Sequence, residues 1–209
     1  MTVYRWIDRS DDREHWRSRL RLGKQRQTPE KRGQLKAGAQ ISGRPPIVDQ
    51  RARFGDWEGD TIVGKPGHGG LLTLVERKSG FALAGKVKRL RAGNVRGCFG
   101  RLTERLPQGL RHTLTLDNGK EFADHQKMSR SADVAIYFAR PYHAWERGSN
   151  EHLNGLARQY FPKGTDFDGI GPSEVKRVFD QLNDRPRKRL GYRTPREVLA
   201  QYFPVAFEL

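Results

Sequence analysis

The chain has a single cysteine, Cys98, among 209 residues. One thiol excludes an internal disulfide framework and a cysteine-built zinc site, and it fits a reducing compartment. None of the six histidines stands in an H-E-x-x-H arrangement, which removes the zinc-protease pattern. No apolar run approaches the ~18 residues of a membrane span. The opening stretch MTVYRWIDRSDDREHW lacks the apolar core of a secretory signal. Hydrophobic residues are also scarce, at 35% against about 45–50% in average domains. Acids are outnumbered: 40 Lys and Arg face 24 Asp and Glu, for a net charge of +16. An excess of that size concerns partners rather than fold. Nucleic acid answers it best, because neutralising phosphates releases condensed counterions. A membrane surface does not, since the basic residues are spread along the chain. A cytoplasmic setting is the expectation.

What is present falls into two parts. Residues 1–43 contain few large apolar side chains, frequent Arg and Lys and scattered Gly, and read as a basic arm or linker. Residues 44–203 read as one globular domain, followed by a tail at 204–209. Strands are expected at 56–64, 71–78, 81–89, 112–116 and 134–138. The second and third would be joined by the two-residue turn Ser79-Gly80. Helices are expected at 92–106, 120–132, 148–161, 171–186 and 194–203. Ser149 serves as a candidate N-cap for the third, and Thr194-Pro195 starts the last. Three antiparallel strands followed by alternating helices and strands predict an α/β, ribonuclease-H-like fold with a mixed five-stranded sheet.

The stretch FGDWEGDTIVGK gathers Asp56, Glu58 and Asp60 at the start of what reads as a buried strand, in a chain crowded with cations. Asp is depleted in strands, which makes Asp60 unusual. Two other acids sit where that sheet order could bring them near it. Asp117 ends the fourth strand, where α/β sheets present functional groups. Glu151 falls in the first turns of a helix. Each has an ordinary reading alone: an Asp before Asn-Gly forms turns, and a Glu in a first helical turn answers the helix dipole. Together they form an oxygen donor set of the kind that holds magnesium beside substrate phosphates. Two such ions about 3.5–4 Å apart stabilise the attacking and leaving oxygens of an in-line displacement at phosphorus.

The stretches RPPIVDQRARFGDWEGDTIVG, LLTLVERKSGFAL, TLDNGKEFADH, YFARPYHAWERGSNEHLNGLARQYFPKGTDF and LNDRPRKRLGYRTPREVL are long and distinctive. Through them residues 44 to about 203 resemble the catalytic domain of the DDE transposases of bacterial insertion sequences. The match is to the IS-thirty branch, within the retroviral-integrase-like superfamily. The resemblance implies catalytic, metal-holding acids at Asp60, Asp117 and Glu151, and magnesium (or manganese) as cofactor, as two ions. It implies double-stranded DNA, both transposon ends and target, as partner. It also implies a homo-oligomer when assembled on DNA, at work in a bacterial cytoplasm near the nucleoid. Members of the family carry helix-turn-helix regions upstream, of which TVYRWI resembles the last part. His152 stands where the family tends to have Asn, and is expected on the helix surface. Two other readings stay open at this stage. One is a non-catalytic DNA-binding remnant that represses transposition. The other is a ribonuclease-H-like nuclease.

Supporting residues follow from position. Asn154 and Arg158, at i+3 and i+7 from Glu151, share its helix face. Arg158 could reach a DNA phosphate, and Asn154 could touch DNA or orient a carboxylate; Asn150 could do the same, or cap the helix. Lys65 and His68 lie in the glycine-rich loop after the first strand, placed for phosphate contact or as surface hairpin. Arg187, Lys188 and Arg189, in NDRPRKRLGYR, read as a phosphate-contacting loop. Glu58 is expected to pair with a neighbouring Arg, Trp57 to be core, and Trp145 to anchor the loop before the helix. Glu121 could assist Asp117 or cap a helix.

Overall fold

Alternation along the strands sets the architecture. In β3 (Gly70–Glu76), Leu72 and Leu74 point to one side of the sheet, while Leu71 and Val75 point to the other. Both faces therefore demand a covering layer, as in sheets buried on both sides. The computed structural model describes residues 6–7, 9–18, 39–104, 106–140 and 144–203. Of the expected arm at 1–43, residues 1–5, 8 and 19–38 lie outside the described residues, as do the tail at 204–209 and the side chain of Trp145. The chain divides into two compact units, Met1–Arg32 and Gly33–Leu209. The first contains helix α1 (Arg13–Ser18), with the rings of Trp6 and Trp16 5.8 Å apart.

The second unit is the α/β domain. Its strands are β1 (Ala39–Gln40), β2 (Asp56–Val63), β3, β4 (Ala82–Val87), β5 (Thr113–Leu116) and β6 (Ala135–Phe138). The order across the sheet is β1-β6-β5-β2-β3-β4. The β2-β3-β4 strands are antiparallel, and β5, β6 and β1 continue in parallel from β2. The helices are α2 (Pro46–Asp49), α3 (Ala92–Thr103), α4 (His125–Ala132), α5 (Gly148–Ala157), α6 (Pro172–Asn183) and α7 (Pro195–Ala200). One face of the sheet packs on α3, α4 and α7 through Phe99, Met128 and Leu199. The other packs on α5 and α6 through Leu153, Ala157, Val178 and Phe179.

The ribonuclease-H-like expectation is met, with six strands rather than five. The added strand, Ala39–Gln40, pairs with Tyr137 and Phe138. Two exposed residues with no apolar alternation gave no strand signal. The hairpin differs as well. Val75 pairs with Ala82 and the Glu76 N–H donates to Phe81 O, so four residues, 77–80, make the connection. The Glu76 carboxylate accepts the Ser79 N–H at 2.6 Å, and Gly80 takes φ +75°, the left-handed region. Thr194 caps α7 in a reciprocal capping box with Glu197. Ser149 does not cap α5, which begins at Gly148; its hydroxyl accepts from Arg51 instead.

Candidate active site

The three acids of β2 have three different fates. Asp56 is buried and spent on Arg53 Nε (2.9 Å), Arg53 Nη2 (3.0 Å) and the Thr113 hydroxyl (2.7 Å). Glu58 is fully buried, ion-paired to Arg77, and accepts the Asn150 N–H at 3.0 Å. A buried carboxylate costs far less when its charge is answered this way. Asp60, two residues on and on the same face, remains open to solvent with a side chain 20% exposed. Two of the three are therefore structural, and one is available for chemistry.

Asp60 is held from several directions. Its Oδ1 accepts the Thr61 N–H at 2.8 Å, and its Oδ2 accepts Asn154 Nδ2 at 3.0 Å. The Thr73 hydroxyl, across the β2–β3 pair, donates to Asn154 Oδ1 at 3.1 Å and so fixes which end of the amide faces the carboxylate. β5 lies parallel beside β2, and its end delivers Asp117. One Asp117 oxygen accepts the Gly119 N–H at 3.0 Å, which is the turn expected of Asp before Asn-Gly. The other faces Arg147 at 3.5 Å. Turn formation and site membership are thus compatible in one side chain.

Arg147 joins the two acids. Its guanidinium lies 3.5 Å from Asp60 Oδ2 and 3.5 Å from Asp117 Oδ2, and it also reaches Gly59 O at 3.4 Å. Glu121 adds a further acid, accepting from the Thr61 hydroxyl at 3.1 Å. Neither its own turn nor α4 has a side-chain cap, so Glu121 caps no helix. Burial raises the Asp60 carboxyl above its ordinary pKa. The Arg147 guanidinium and the Thr61 N–H oppose that rise, while Asp117 and Glu121 add to it. The site is an anionic cluster that already holds one bridging cation between Asp60 and Asp117. That observation, with donors that are all oxygens, fits a hard divalent ion.

Glu151 occupies the first turn of α5, exposed, and makes no hydrogen bond or ion pair with another described residue. Asn154, one turn on, touches Asp60, so Glu151 shares the helix side turned to β2. The ligand oxygens of Asp60, Asp117 and Glu151 do not all lie within 4.8 Å of one another. Among the described residues only His68, Asp166 and Asp168 form such a group. His68 is therefore occupied by acids (3.1 and 3.3 Å) and not turned to phosphate.

The remaining expectations divide. Asn154 works on the carboxylate, with both amide ends occupied. The Arg158 guanidinium is tied to the carbonyls of Val63 (2.9 Å), Phe161 (3.4 Å) and Pro162 (3.3 Å), where it clamps the end of β2. Lys65 is exposed at that same end. Arg187, Lys188 and Arg189 line a cavity on another side of α5, beside Ser149 and His152. Trp57 is core, its indole N–H donating to Leu110 O at 2.7 Å. Arg147 escaped sequence reasoning. Its only signal was an Arg-Gly pair directly before the helix that carries Glu151.

No family model matches the chain. Curated relatives do. The chain is 42% identical over 207 residues to the transposase for insertion sequence element IS4351 of Bacteroides fragilis, covering 96% of this chain and 63% of that protein. It is 41% identical over 181 residues to the transposase for IS1086 of Cupriavidus metallidurans (87% and 53% covered). It is 39% identical over 186 residues to transposase InsI for IS30A of Escherichia coli (86% and 47% covered). The chain thus spans from about half to under two thirds of the length of these relatives. Among solved structures, the catalytic core domain of BIV integrase superposes with a TM-score of 0.52 at 21% identity, covering 70% of this chain and 94% of that one. A chain of a simian T-cell lymphotropic virus intasome gives 0.50 at 21%, covering 63% and 49%. At that identity the likeness concerns fold alone. Over most of its length this chain is thus similar in sequence to transposases of bacterial insertion sequences, that of IS30A among them, and similar in fold to the integrase catalytic core.

Proposed function

We propose that this chain cuts and joins DNA by metal-dependent phosphoryl transfer at insertion-sequence ends. The observation that carries the reading is the pair Asp60 and Asp117, delivered by adjacent parallel strands onto one shared cation. The homologous transposases support it, as does the net charge of +16. Asp60, Asp117 and Glu151 are the residues that would hold magnesium or manganese, as two ions. Such ions, when bound, supply Lewis-acid stabilisation of the oxygens that attack and leave phosphorus. The chain's own groups do the rest by positioning. Thr73 and Asn154 orient Asp60, the turn at Gly119 orients Asp117, and α5 brings Glu151 to the same side. Arg147 bridges the two aspartates and would have to give way where metal ions bind them. Lys65, Arg187, Lys188 and Arg189 hold DNA phosphates, while Arg158 and Asn154 support the site from within. Double-stranded DNA of ends and target, a homo-oligomer formed on that DNA and a place at the bacterial nucleoid belong to the same reading. Among the described residues no helix is long and apolar enough to cross a membrane.

A strand-transfer assay tests this reading. Pre-cleaved end duplexes, a target plasmid and Mg²⁺ or Mn²⁺ are incubated with the chain. Joined products are the expected result. Cleavage without joining would make it a nuclease, and binding without either would make it a DNA-binding remnant.

A further inference from the structure

Helix α5 faces two ways. One side carries Glu151 and Asn154. The other, with Ser149 and His152, walls a cavity of about 480 Å³ opposite the loop that follows α6. Arg51, Arg185, Arg187, Lys188 and Arg189 all line it, and no described carboxylate lies within ion-pair distance of any of them. That contrasts with arginines elsewhere: Arg53, Arg77, Arg96, Arg140 and Arg196 each have an acid. The partners inside the cavity are neutral. Arg51 donates to Arg77 O (3.1 Å) and to the Ser149 hydroxyl (3.0 Å). Arg187 donates to Leu182 O (3.2 Å), and Arg189 to Lys78 O (2.9 Å). Arg187 Nε is buried and has no partner at all.

Five like charges around one hollow repel each other, and the titration directions agree. Burial, then Arg185, lowers Arg187; burial, then Arg51 and Arg187, lowers Arg189, against a smaller opposing pull from the Glu76 carboxylate. Burial, then Arg187, Arg189 and Arg185, holds the His152 pKa below its usual range. A concave field of this kind selects an anion. Guanidiniums match a phosphate's oxygens with paired, charge-assisted hydrogen bonds, which favours phosphate over a diffuse countercharge. We infer that the cavity is a second DNA-phosphate site, holding a backbone phosphate remote from the one being cut, on the side of α5 opposite Glu151. This rests on the reading that DNA is the substrate. A phosphate seated there neutralises the arginines and braces the helix that presents Glu151, so gripping DNA and placing the third acid become one event.

The test is the salt dependence of duplex binding, followed by fluorescence anisotropy in an Asp60→Asn background that cannot cut. Arg185→Gln with Arg189→Gln removes two cavity charges and spares Arg187, whose guanidinium holds the end of α6. Lys127→Gln with Arg130→Gln removes equal charge from α4. Counterion release predicts a fall of about 0.9 in the log–log salt slope for each phosphate left without its cation, or about 1.8 for the cavity pair. The α4 pair should leave the slope unchanged. Equal effects from both pairs, or none from the cavity pair, overturn the proposal. Should the cavity pair fail to fold by circular dichroism, Lys188→Gln alone is read the same way: a fall of about 0.9 supports the site, and an unchanged slope refutes it. Because binding is measured without cleavage, a failure of the catalytic reading leaves this result standing, and the reverse holds too.

Discussion

Asp60 shows how one residue carries opposing demands. Its carboxylate is largely removed from water and close to Asp117 and Glu121, so its charged form is disfavoured, and Arg147 and the Thr61 N–H oppose that only in part. The folded chain therefore binds the Asp60 proton more tightly than the unfolded chain does. The stability linked to that proton is complete below the unfolded value of about 3.9, and it is lost as pH rises through the higher folded value. At neutral pH the native state carries the cost of an ionised, buried acid. Asp60→Asn should consequently raise Tm at pH 7 in EDTA-treated buffer, by a few degrees, each kcal/mol being worth roughly 2–4 °C in a chain of this size. The gap should close as pH falls toward 4. A variant less stable than the parent at pH 7 would contradict this account. At this scale the sequence was informative about acids and silent about their counter-ion. An aspartate in a strand stands out by its rarity, whereas Arg147 is one of many arginines and acquires meaning only when the fold brings it to Asp60 and Asp117. Glu58 was legible as a charge that meets a neighbouring Arg, and it does so at Arg77.

Among the elements, β2 does most to place the site. Its even positions turn Glu58 and Asp60 to α5. Its odd positions, Trp57 and Gly59, face the core that packs on α3 and α4. Gly59 is small for a reason. A Cβ there would lie 2.7 Å from Leu116 Cδ2, 3.1 Å from Leu114 Cδ1 and 3.3 Å from Leu74 Cδ2, all on fully buried leucines. Gly59→Val should destabilise the domain by about 1–3 kcal/mol, as overpacked cores do, measured by urea unfolding. An unchanged midpoint would show that the sheet yields more easily than its packing implies. Elements were readable where apolar periodicity is strong: β2 to β6 and α3 to α7 lie where expected, shorter by a few residues at their ends. They were unreadable where backbone pairing works without a pattern, as in β1, or where a side chain rewires a turn, as Glu76 does at residues 77–80.

A strongly cationic sequence here carries an anionic cluster of side chains around Asp60 and Asp117. On the proposed reading, that division suits an enzyme that must hold a polyanion yet keep Asp60 and Asp117 ready for cations. Composition pointed to a polyanionic partner and the long motifs to the insertion-sequence transposases that the chain proved similar to, whereas the cavity behind α5 was visible only as a basic loop. Its concavity depends on Arg51 meeting the 185–189 segment across the fold. The most direct measurement is nicking of supercoiled plasmid in Mn²⁺ by the parent chain and by Asp60→Asn, Asp117→Asn and Glu151→Gln, with DNA binding followed in parallel. The account predicts nicking by the parent, its loss by at least about 100-fold in each variant, as expected where transition-state charge stabilisation is removed, and binding within a few-fold of the parent. Undiminished nicking by any one variant would remove that residue from the site, and undiminished nicking by Asp60→Asn would contradict the account itself.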